Sequence, residues 1–248
     1  MDVGFKTDKG ISRFNNEDAC YVMVDRGVFV VADGVGGSSS GEIASRTATR
    51  FISQYVENNP LNPKWDEEEV RIYFIKCLNQ TNEMILEMAN QFEENNGMAT
   101  TVVVSYISGS KMYVFNLGDS RAYLIRDNEM EQITEDHTYV NNLVQRGKIT
   151  PEEAIVHPDR NQITKALGAE MHIYPDMFVV SLMAGDVVIM CTDGLYVEVP
   201  HKDIKRIICN AKTMSDACSE MVDLANLNGG SDNITVISLK IDEEDINE

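Results

Sequence analysis

The chain lacks any long apolar run. No stretch of about 18 apolar residues, the length that suggests a membrane-spanning helix, occurs in the sequence, and no apolar segment follows Met1-Asp2. We therefore expect neither a membrane span nor a secretory signal. The five cysteines are scattered without CxxC or CxxH spacing, so we expect reduced thiols in a cytoplasmic protein rather than disulfides or a zinc site.

Positive charge is scarce as well. Lys and Arg number 21 against 40 Asp and Glu, which gives a formal net charge of −19. Such a surface repels nucleic acid and anionic membranes, and no cluster of basic residues offsets it, so we exclude both as partners. No Pro-, Gly- or Ser-rich linker divides the chain. We expect one domain over residues 1–241, followed by an acidic tail at 242–248.

Short β-rich runs and amphipathic segments define the expected fold. Runs rich in Val, Ile, Tyr and Phe predict strands at 20–24, 28–32, 101–107, 112–117, 122–126, 172–180, 187–191 and 234–241. Gly27, Gly109 and Asp127-Asn128 predict hairpin turns, and hence mainly antiparallel pairing. Apolar residues at steps of three and four predict helices at 41–57, 66–96, 139–146, 152–156 and, as a broken pair, 202–227. This order favours an α+β fold, a four-layer αββα sandwich of two stacked sheets flanked by helix pairs.

Five aspartates fall at the ends of apolar runs: Asp18, Asp33, Asp119, Asp193 and Asp232. If the fold gathers them at one rim, they must repel, because two carboxylates ~4 Å apart cost roughly 4 kcal/mol at an effective dielectric constant of about 20. A bound cation relieves that repulsion, and oxygen ligands favour magnesium or manganese over zinc. An ordinary Asp-Gly turn is the alternative for Asp33-Gly34 or Asp193-Gly194 alone. The repetition of the pattern favours a metal site.

Arg13 lies close in sequence to Glu17 and Asp18. An arginine beside a metal site suits phosphate, because guanidinium binds two oxygens at once. A surface salt bridge is the alternative. The histidines at 137, 157, 172 and 201 have no mutual spacing, and structural roles are favoured for them. No GxSxG pattern supports a serine nucleophile.

Six ordered motifs carry a resemblance to a known family. They are Arg13-x-x-Asn16-Glu17-Asp18, Val31-Ala32-Asp33-Gly34-Val35-Gly36-Gly37, Gly97-Met98-Ala99-Thr100-Thr101, Asn116-Leu117-Gly118-Asp119-Ser120-Arg121-Ala122-Tyr123, Cys191-Thr192-Asp193-Gly194-Leu195 and Gly230-Ser231-Asp232-Asn233-Ile234-Thr235. Together they resemble the metal-dependent protein phosphatase 2C family, and most closely its bacterial branch, over about residues 2–240. The segment at about 138–170 resembles the bacterial flap, a segment beside the active site that controls substrate access.

The resemblance implies a protein serine/threonine phosphatase in which a metal-bridging hydroxide attacks phosphorus. By position, Asp33 would bridge two Mn²⁺ or Mg²⁺ ions and Gly34 would offer its carbonyl to one of them. Asp193 and Asp232 would complete the other site, and these three aspartates are the expected catalytic residues. The resemblance further assigns water-mediated or weak metal contacts to Glu17 and Asp18, a possible third ion to Asp119 with Asp193, and the phosphate to Arg13.

The resemblance also implies phosphoprotein substrates, including a bacterial serine/threonine kinase and its targets, and we expect a monomer. Four positions depart from the family pattern. Val35 replaces a histidine that acts as general acid in many eukaryotic members, so the proton would come from metal-bound water; the others are Ala99, Asn116 and Tyr196. Two alternatives stay open: a pseudophosphatase that acts as a regulatory binding module, and a metal-dependent phosphodiesterase or nuclease.

Overall fold

A computed structural model describes residues 1–36, 40–91 and 93–246. Within these ranges the chain forms strands and helices in alternating groups. The strands are β1 Asp2–Asp8, β2 Asp18–Met23, β3 Val28–Val35, β4 Ala99–Thr100, β5 Val102–Ser108, β6 Lys111–Leu117, β7 Arg121–Arg126, β8 Glu129–Gln132, β9 Asp176–Ser181, β10 Val187–Cys191 and β11 Ile234–Lys240. The helices are α1 Ser40–Asn58, α2 Glu67–Gln91, α3 Tyr139–Gln145, α4 Pro151–Ile155, α5 Asp193–Tyr196, α6 His201–Asn210, α7 Met214–Asn228 and α8 Glu243–Ile246.

The strands form two antiparallel sheets. The first sheet has the order β1-β11-β10-β7-β8, and the second has the order β2-β3-β5-β6-β9, with β4 paired to β3. Hairpins join β2 to β3, β5 to β6 and β7 to β8, at the turns that the sequence predicted. Gly27, Gly109, Asp127 and Asn128 have positive φ angles there, which are the values that such tight turns require. The expected antiparallel pairing is confirmed.

The two sheets stack face to face through a shared apolar layer. Phe29 and Val31 of the second sheet pack in one buried cluster with Met190 and Leu239 of the first. Because neighbouring residues on a strand point to opposite faces, the alternate residues of the same strands face outward against helices. The inner faces of the two sheets are therefore held together by apolar side chains at these positions.

Helices cover both outer faces. On the second sheet, Ile52 of α1 and Phe74 of α2 pack with Val30 and Val104. On the first sheet, α6 and α7 place Ile204 and Met221 in a cluster with Ile189. The four-layer α+β architecture is confirmed. Among the helices of the described ranges, none is long and apolar enough to cross a membrane.

Helix boundaries follow local capping chemistry. Asp66 and Glu69 exchange side-chain to backbone hydrogen bonds at the start of α2, and Thr150 and Glu153 do the same at α4, where Pro151 is the first helical residue. The predicted helix at 66–96 is too long, since α2 ends at Gln91 and residues 93–95 form a separate 3₁₀ turn. Residue 92 lies outside the described residues.

Several other elements differ from the sequence prediction. The predicted strand at 172–180 begins only at Asp176. The residues before it are irregular, and pairing with β6 starts at Asp176, opposite Asn116. β1, β4, β8 and α5 were not predicted. In the predicted tail, α8 occupies residues 243–246, and the Met1 ammonium contacts the carboxylates of Asp242 and Asp245 at 3.0 Å. Asn247 and Glu248 lie outside the described residues.

Candidate metal centre

The five aspartates come together at one edge of the sandwich, which we call the acidic rim. Asp33 lies near the end of β3, directly opposite Asp18 of β2 in the strand register. Asp193 begins α5 immediately after β10, and Asp232 precedes β11, the neighbour of β10. Asp119 lies in the turn between β6 and β7. Both sheets therefore contribute carboxylates to the acidic rim, as their positions at strand ends predicted.

Asp18 is the most deeply buried of the five, with 4% of its surface exposed. The Thr192 hydroxyl donates to its Oδ2 atom at 2.8 Å, whereas Oδ1 is buried without a hydrogen-bond partner. Burial, followed by the charges of Asp193 and Asp232, raises the pKa of Asp18 to about 8. An ionised carboxylate in this position needs a cation, because a buried unpaired charge is strongly unfavourable.

The pKa values of three other carboxylates are raised in the same way. Burial and the neighbouring charge of Asp232 raise the pKa of Asp193 to about 6, and its buried Oδ1 atom has no hydrogen-bond partner. Burial and the charge of Asp193 raise the pKa of Asp119 to about 7. Burial raises the pKa of Asp33 well above its usual range, and the charges of Asp18 and Asp193 add to the effect. Burial is the largest cause of each shift and repulsion between the carboxylates adds to it; a divalent cation would favour the ionised form against both.

These residues fit a hard divalent ion. Asp18 and Asp193 each bury a carboxylate oxygen that has no hydrogen-bond partner, and oxygen donors are the ligands that Mg²⁺ and Mn²⁺ prefer. Within the described residues, no group of three or more His, Cys, Asp or Glu side chains is arranged so that it could hold a metal ion by itself. Mg²⁺ does not require one, because it keeps several waters and binds through one or two carboxylates together with a substrate phosphate.

Gly34 and Gly41 bring backbone atoms unusually close to this site. A Cβ atom on Gly34 would lie 2.1 Å from the Gly41 carbonyl oxygen, and one on Gly41 would lie 2.7 Å from Oε2 of Glu17. The Gly34 N–H donates to the Glu17 carbonyl at 3.1 Å, which fixes the Asn16–Asp18 segment against β3. Only glycine permits this approach. Gly37, which completes the motif in sequence, lies outside the described residues.

Hydroxyl groups connect the backbones that carry Asp33 and Asp119. The Asp33 N–H donates to Oγ1 of Thr101 at 3.0 Å, and the Thr101 N–H donates back to the Asp33 carbonyl at 2.9 Å. Oγ1 of Thr101 is also 2.7 Å from the Ser120 hydroxyl, on the residue after Asp119. The two aspartates are thereby held at a fixed separation. The sequence placed Thr101 and Ser120 in motifs but did not identify this role.

The Asp119 turn is held from two further directions. Gly118 has a φ angle of +108°, and its N–H donates to Nδ1 of the buried His137 at 3.1 Å. The Tyr196 hydroxyl donates to the Asp119 carbonyl at 3.0 Å. Tyr196 stands where the family usually has a small polar residue, and its ring lies 3.6 Å from the guanidinium carbon of Arg121. His137 therefore has the structural role that the sequence favoured.

Asn233 ties the loop that carries Arg13 to the acidic rim. Its Oδ1 accepts from the Glu17 N–H at 2.7 Å, and its Nδ2 donates to the carbonyls of Lys9 and Asn15. Arg13 donates from Nη2 to Oδ2 of Asp232 at 2.6 Å. This is the salt bridge that the sequence left open, but it lies inside the rim rather than on a distant surface. Arg13 therefore lies at the acidic rim, in contact with one of its carboxylates.

The flap segment lies beside the acidic rim. An isolated bridge between Thr100 and Leu167 anchors the C-terminal part of the segment to β4, and a second bridge, between Thr138 and Ile163, joins two parts of the segment to each other. Helices α3 and α4 lie between these anchors. Asp119, Asp193 and Asp232 line the same cavity of about 720 Å³ as residues of both helices.

Comparisons with known proteins agree with the fold. The family model for protein phosphatase 2C matches residues 11–230. The serine/threonine phosphatase stp of Listeria innocua is 36% identical over 241 residues, which is 96% of this chain and 94% of that protein. The crystal structure of serine/threonine phosphatase Stp1 from Staphylococcus aureus superposes with a TM-score of 0.90 at 35% identity and covers 98% of this chain and 96% of that one.

A further solved structure carries metal. The catalytic domain of the serine/threonine protein phosphatase PstP, solved in complex with two manganese ions, has a TM-score of 0.85 and 29% identity, with 97% of this chain and 98% of that chain covered. The chain belongs to the protein phosphatase 2C family. Members of this family are metal-dependent phosphatases, so the family and reaction class expected from the motifs are confirmed.

Proposed function

We propose that this chain removes phosphate from phosphoserine and phosphothreonine in proteins, with Mn²⁺ or Mg²⁺ as cofactor. The observation that carries the proposal is the acidic rim, where Asp18 and Asp193 each bury a carboxylate oxygen without a partner. A rim of this kind is unfavourable unless cations occupy it. The names of the relatives at about a third identity or more supply the reaction class.

The proposed ligands are those that the sequence assigned. Asp33 would contact both core ions, the Gly34 carbonyl would serve one of them, and Asp193 with Asp232 would serve the other. Asp18 and Glu17 would act more weakly, and Asp119 with Asp193 would hold a possible third ion. When bound, the ions supply positive charge that neutralises the phosphoryl oxygens and lowers the pKa of coordinated water to about 7.

The chain itself orients the phosphate. Arg13 presents a guanidinium at the rim, where it bonds to Asp232 at 2.6 Å. A phosphate that entered the rim would exchange this neutralising contact for two parallel hydrogen bonds from Arg13. Val35, exposed at the end of β3, has no proton to give, so no general acid comes from that position. The Thr101 and Asn233 hydrogen bonds hold the acidic rim rigid during the reaction.

The substrates, cellular location, oligomeric state and domain limits are also proposals. The substrates would be phosphoproteins, among them a bacterial serine/threonine kinase and its targets. We place the protein in the cytoplasm, in keeping with its free thiols. We also propose that it is a monomer. Residues 1–241 would act as one catalytic domain, with the flap at about 138–170.

The test compares three substrates with and without metal. Purified protein with Mn²⁺ should hydrolyse p-nitrophenyl phosphate and a phosphothreonine peptide, and it should leave bis(p-nitrophenyl) phosphate intact. EDTA or Asp193→Ala should abolish both activities, whereas Asp25→Ala, on an exposed turn away from the rim, should keep them. A folded protein that hydrolyses neither monoester would point to a binding module. Preferential cleavage of the diester would point to a phosphodiesterase.

A further inference from the structure

The cavity at the acidic rim has two walls of different chemistry. Its volume is about 720 Å³, within the range of ligand pockets and larger than a phosphate alone requires. Asp119, Asp193 and Asp232 line one part. The flap lines another with aliphatic side chains, among them Val144 of α3 and Ile155 of α4. The space next to the carboxylates can therefore accept more of a substrate than its phosphoryl group.

Two aliphatic side chains of this cavity are strongly exposed. Ile155 is 71% exposed on the flap, and Val197, which follows Tyr196 at the end of α5, is 64% exposed. They belong to different segments of the chain and line the same cavity. Single exposed aliphatic residues are ordinary, but a group of them at the edge of a polar site is typical of a surface that binds a partner.

The arginines nearest the carboxylates are already neutralised. Arg121 forms a two-pronged ion pair with Asp136, at 2.6 Å for the shortest contact, and the Tyr196 ring covers it. Arg13 pairs with Asp232. Arg160 also lines the cavity and, within the described ranges, makes no ion pair. The aliphatic wall and the acidic rim together disfavour a carboxylate beside the phosphorylated residue. Among the described residues that line the cavity, Arg160 is the one unpaired cation that could favour it.

We propose that this cavity is a subsite for an apolar side chain that flanks the phosphorylated residue of the substrate, held between Ile155 of the flap and Val197 of α5. The inference rests on the proposed function, and it narrows the substrates to phosphoproteins with an aliphatic residue next to the phosphoserine or phosphothreonine. Continuity with the carboxylates identifies the occupant, because the cavity that Asp119, Asp193 and Asp232 line extends to Ile155 and Val197, within reach of a residue next to a phosphorylated one.

The experiment measures kcat/KM with Mn²⁺ on phosphothreonine peptides that differ in one residue. Leu, Ala, Asn or Asp is placed directly before or directly after the phosphothreonine, and p-nitrophenyl phosphate is assayed in parallel. Leu should exceed Ala and Asn by about tenfold at one of the two positions, since a methylene in an apolar pocket contributes a factor of ten or more and this cavity is open on one side. Asp should be the poorest.

Variants assign the preference to the cavity. In Ile155→Ser and Val197→Ser the ratio of Leu to Ala should fall to about twofold, because each change removes one aliphatic wall. Ile72→Ser is the matched control, since Ile72 is an aliphatic residue 56% exposed on α2 and does not line the cavity. It should keep the wild-type ratio. A ratio within each variant cancels any general loss of activity.

The outcomes separate the subsite from the activity. Hydrolysis of p-nitrophenyl phosphate with no preference for Leu, or a preference that neither cavity variant changes, overturns the subsite and leaves the phosphatase standing. A preference for Asp also overturns it and assigns recognition to Arg160. Failure to hydrolyse any monoester overturns the proposed function and the subsite with it.

Discussion

Replacement of Asp119 by asparagine should stabilise the metal-free protein at neutral pH and above. Burial and the charge of Asp193 raise the pKa of Asp119 from 3.8 to about 7. Because the folded-state pKa lies above the unfolded one, stability is highest at low pH and is lost as the pH rises toward 7. A difference of about three units corresponds to about 4 kcal/mol. This is an upper limit, because water at the rim relieves part of the burial, and we expect about 2 kcal/mol.

The assay is thermal unfolding in EDTA across pH. At pH 8, Asp119→Asn should raise Tm by about 4–8 °C, and the gain should vanish near pH 4, where the native carboxyl is already protonated. Asp223→Asn is the control: Asp223 is an exposed carboxylate that pairs with Lys6 at 3.6 Å, and its replacement should not produce a gain that grows with pH. A lower Tm for Asp119→Asn at pH 8, or the same shift at both pH values, would refute the reasoning.

Three further changes test other contacts. Gly34→Ala places a Cβ atom 2.1 Å from the Gly41 carbonyl oxygen, so it should lower stability by about 3 kcal/mol in urea unfolding; unchanged stability would contradict the close packing. Thr101→Val leaves the Asp33 N–H without its acceptor and should cost about 1–3 kcal/mol in the same assay, and a cost near zero would exclude a stabilising role. Arg13→Ala should lower kcat/KM for a phosphopeptide by about 10- to 100-fold, with partial recovery in Arg13→Lys, and full activity in Arg13→Ala would remove Arg13 from the site.

The hairpins and long helices that the sequence predicted correctly depend on residues close together in the chain. The hairpins at Gly27, Gly109 and Asp127-Asn128 follow from backbone angles that few residues adopt, and the sequence alone located them. Both long helices were predicted from apolar periodicity. The end of the second was missed because residues 93–96 are polar and give no sequence signal that the helix has stopped, although Gly97, with a φ of +76°, closes the segment just beyond them.

Of the three missed strands, β4 has only two residues, and the other two lie at the edges of the first sheet. β1 and β8 are the two outer strands of the first sheet, and both carry charged residues at alternating positions. Edge strands are often charged, which removes the apolar signal that identified the central strands. Gly4 shows what only the fold reveals: a Cβ atom there would lie 2.2 Å from the Met214 backbone, so β1 is pressed against α7.

At the site, the aspartates could be predicted from the sequence, but the residues that hydrogen-bond to them could not. Asp33 and Asp193 stand out because each ends an apolar strand and precedes glycine. The groups that hold them lie far away in sequence: Thr101 is 68 residues from Asp33, and Thr192 is 174 residues from Asp18. No local pattern encodes such pairs. Tyr196 was visible as a departure from the family pattern, but its bond to the Asp119 carbonyl appears only once the turn is built.

The central claim is that the acidic rim holds the metal ions, and a calorimetric titration of Mn²⁺ tests it most directly. The wild-type protein, freed of metal with EDTA and then dialysed, should bind at least two ions, and Asp33→Asn should lose most of that binding while it stays folded by circular dichroism. Asp25→Asn serves as the control and should bind as the wild type does. Unchanged Mn²⁺ binding by Asp33→Asn would contradict the account, because the metal would then be held somewhere other than the acidic rim.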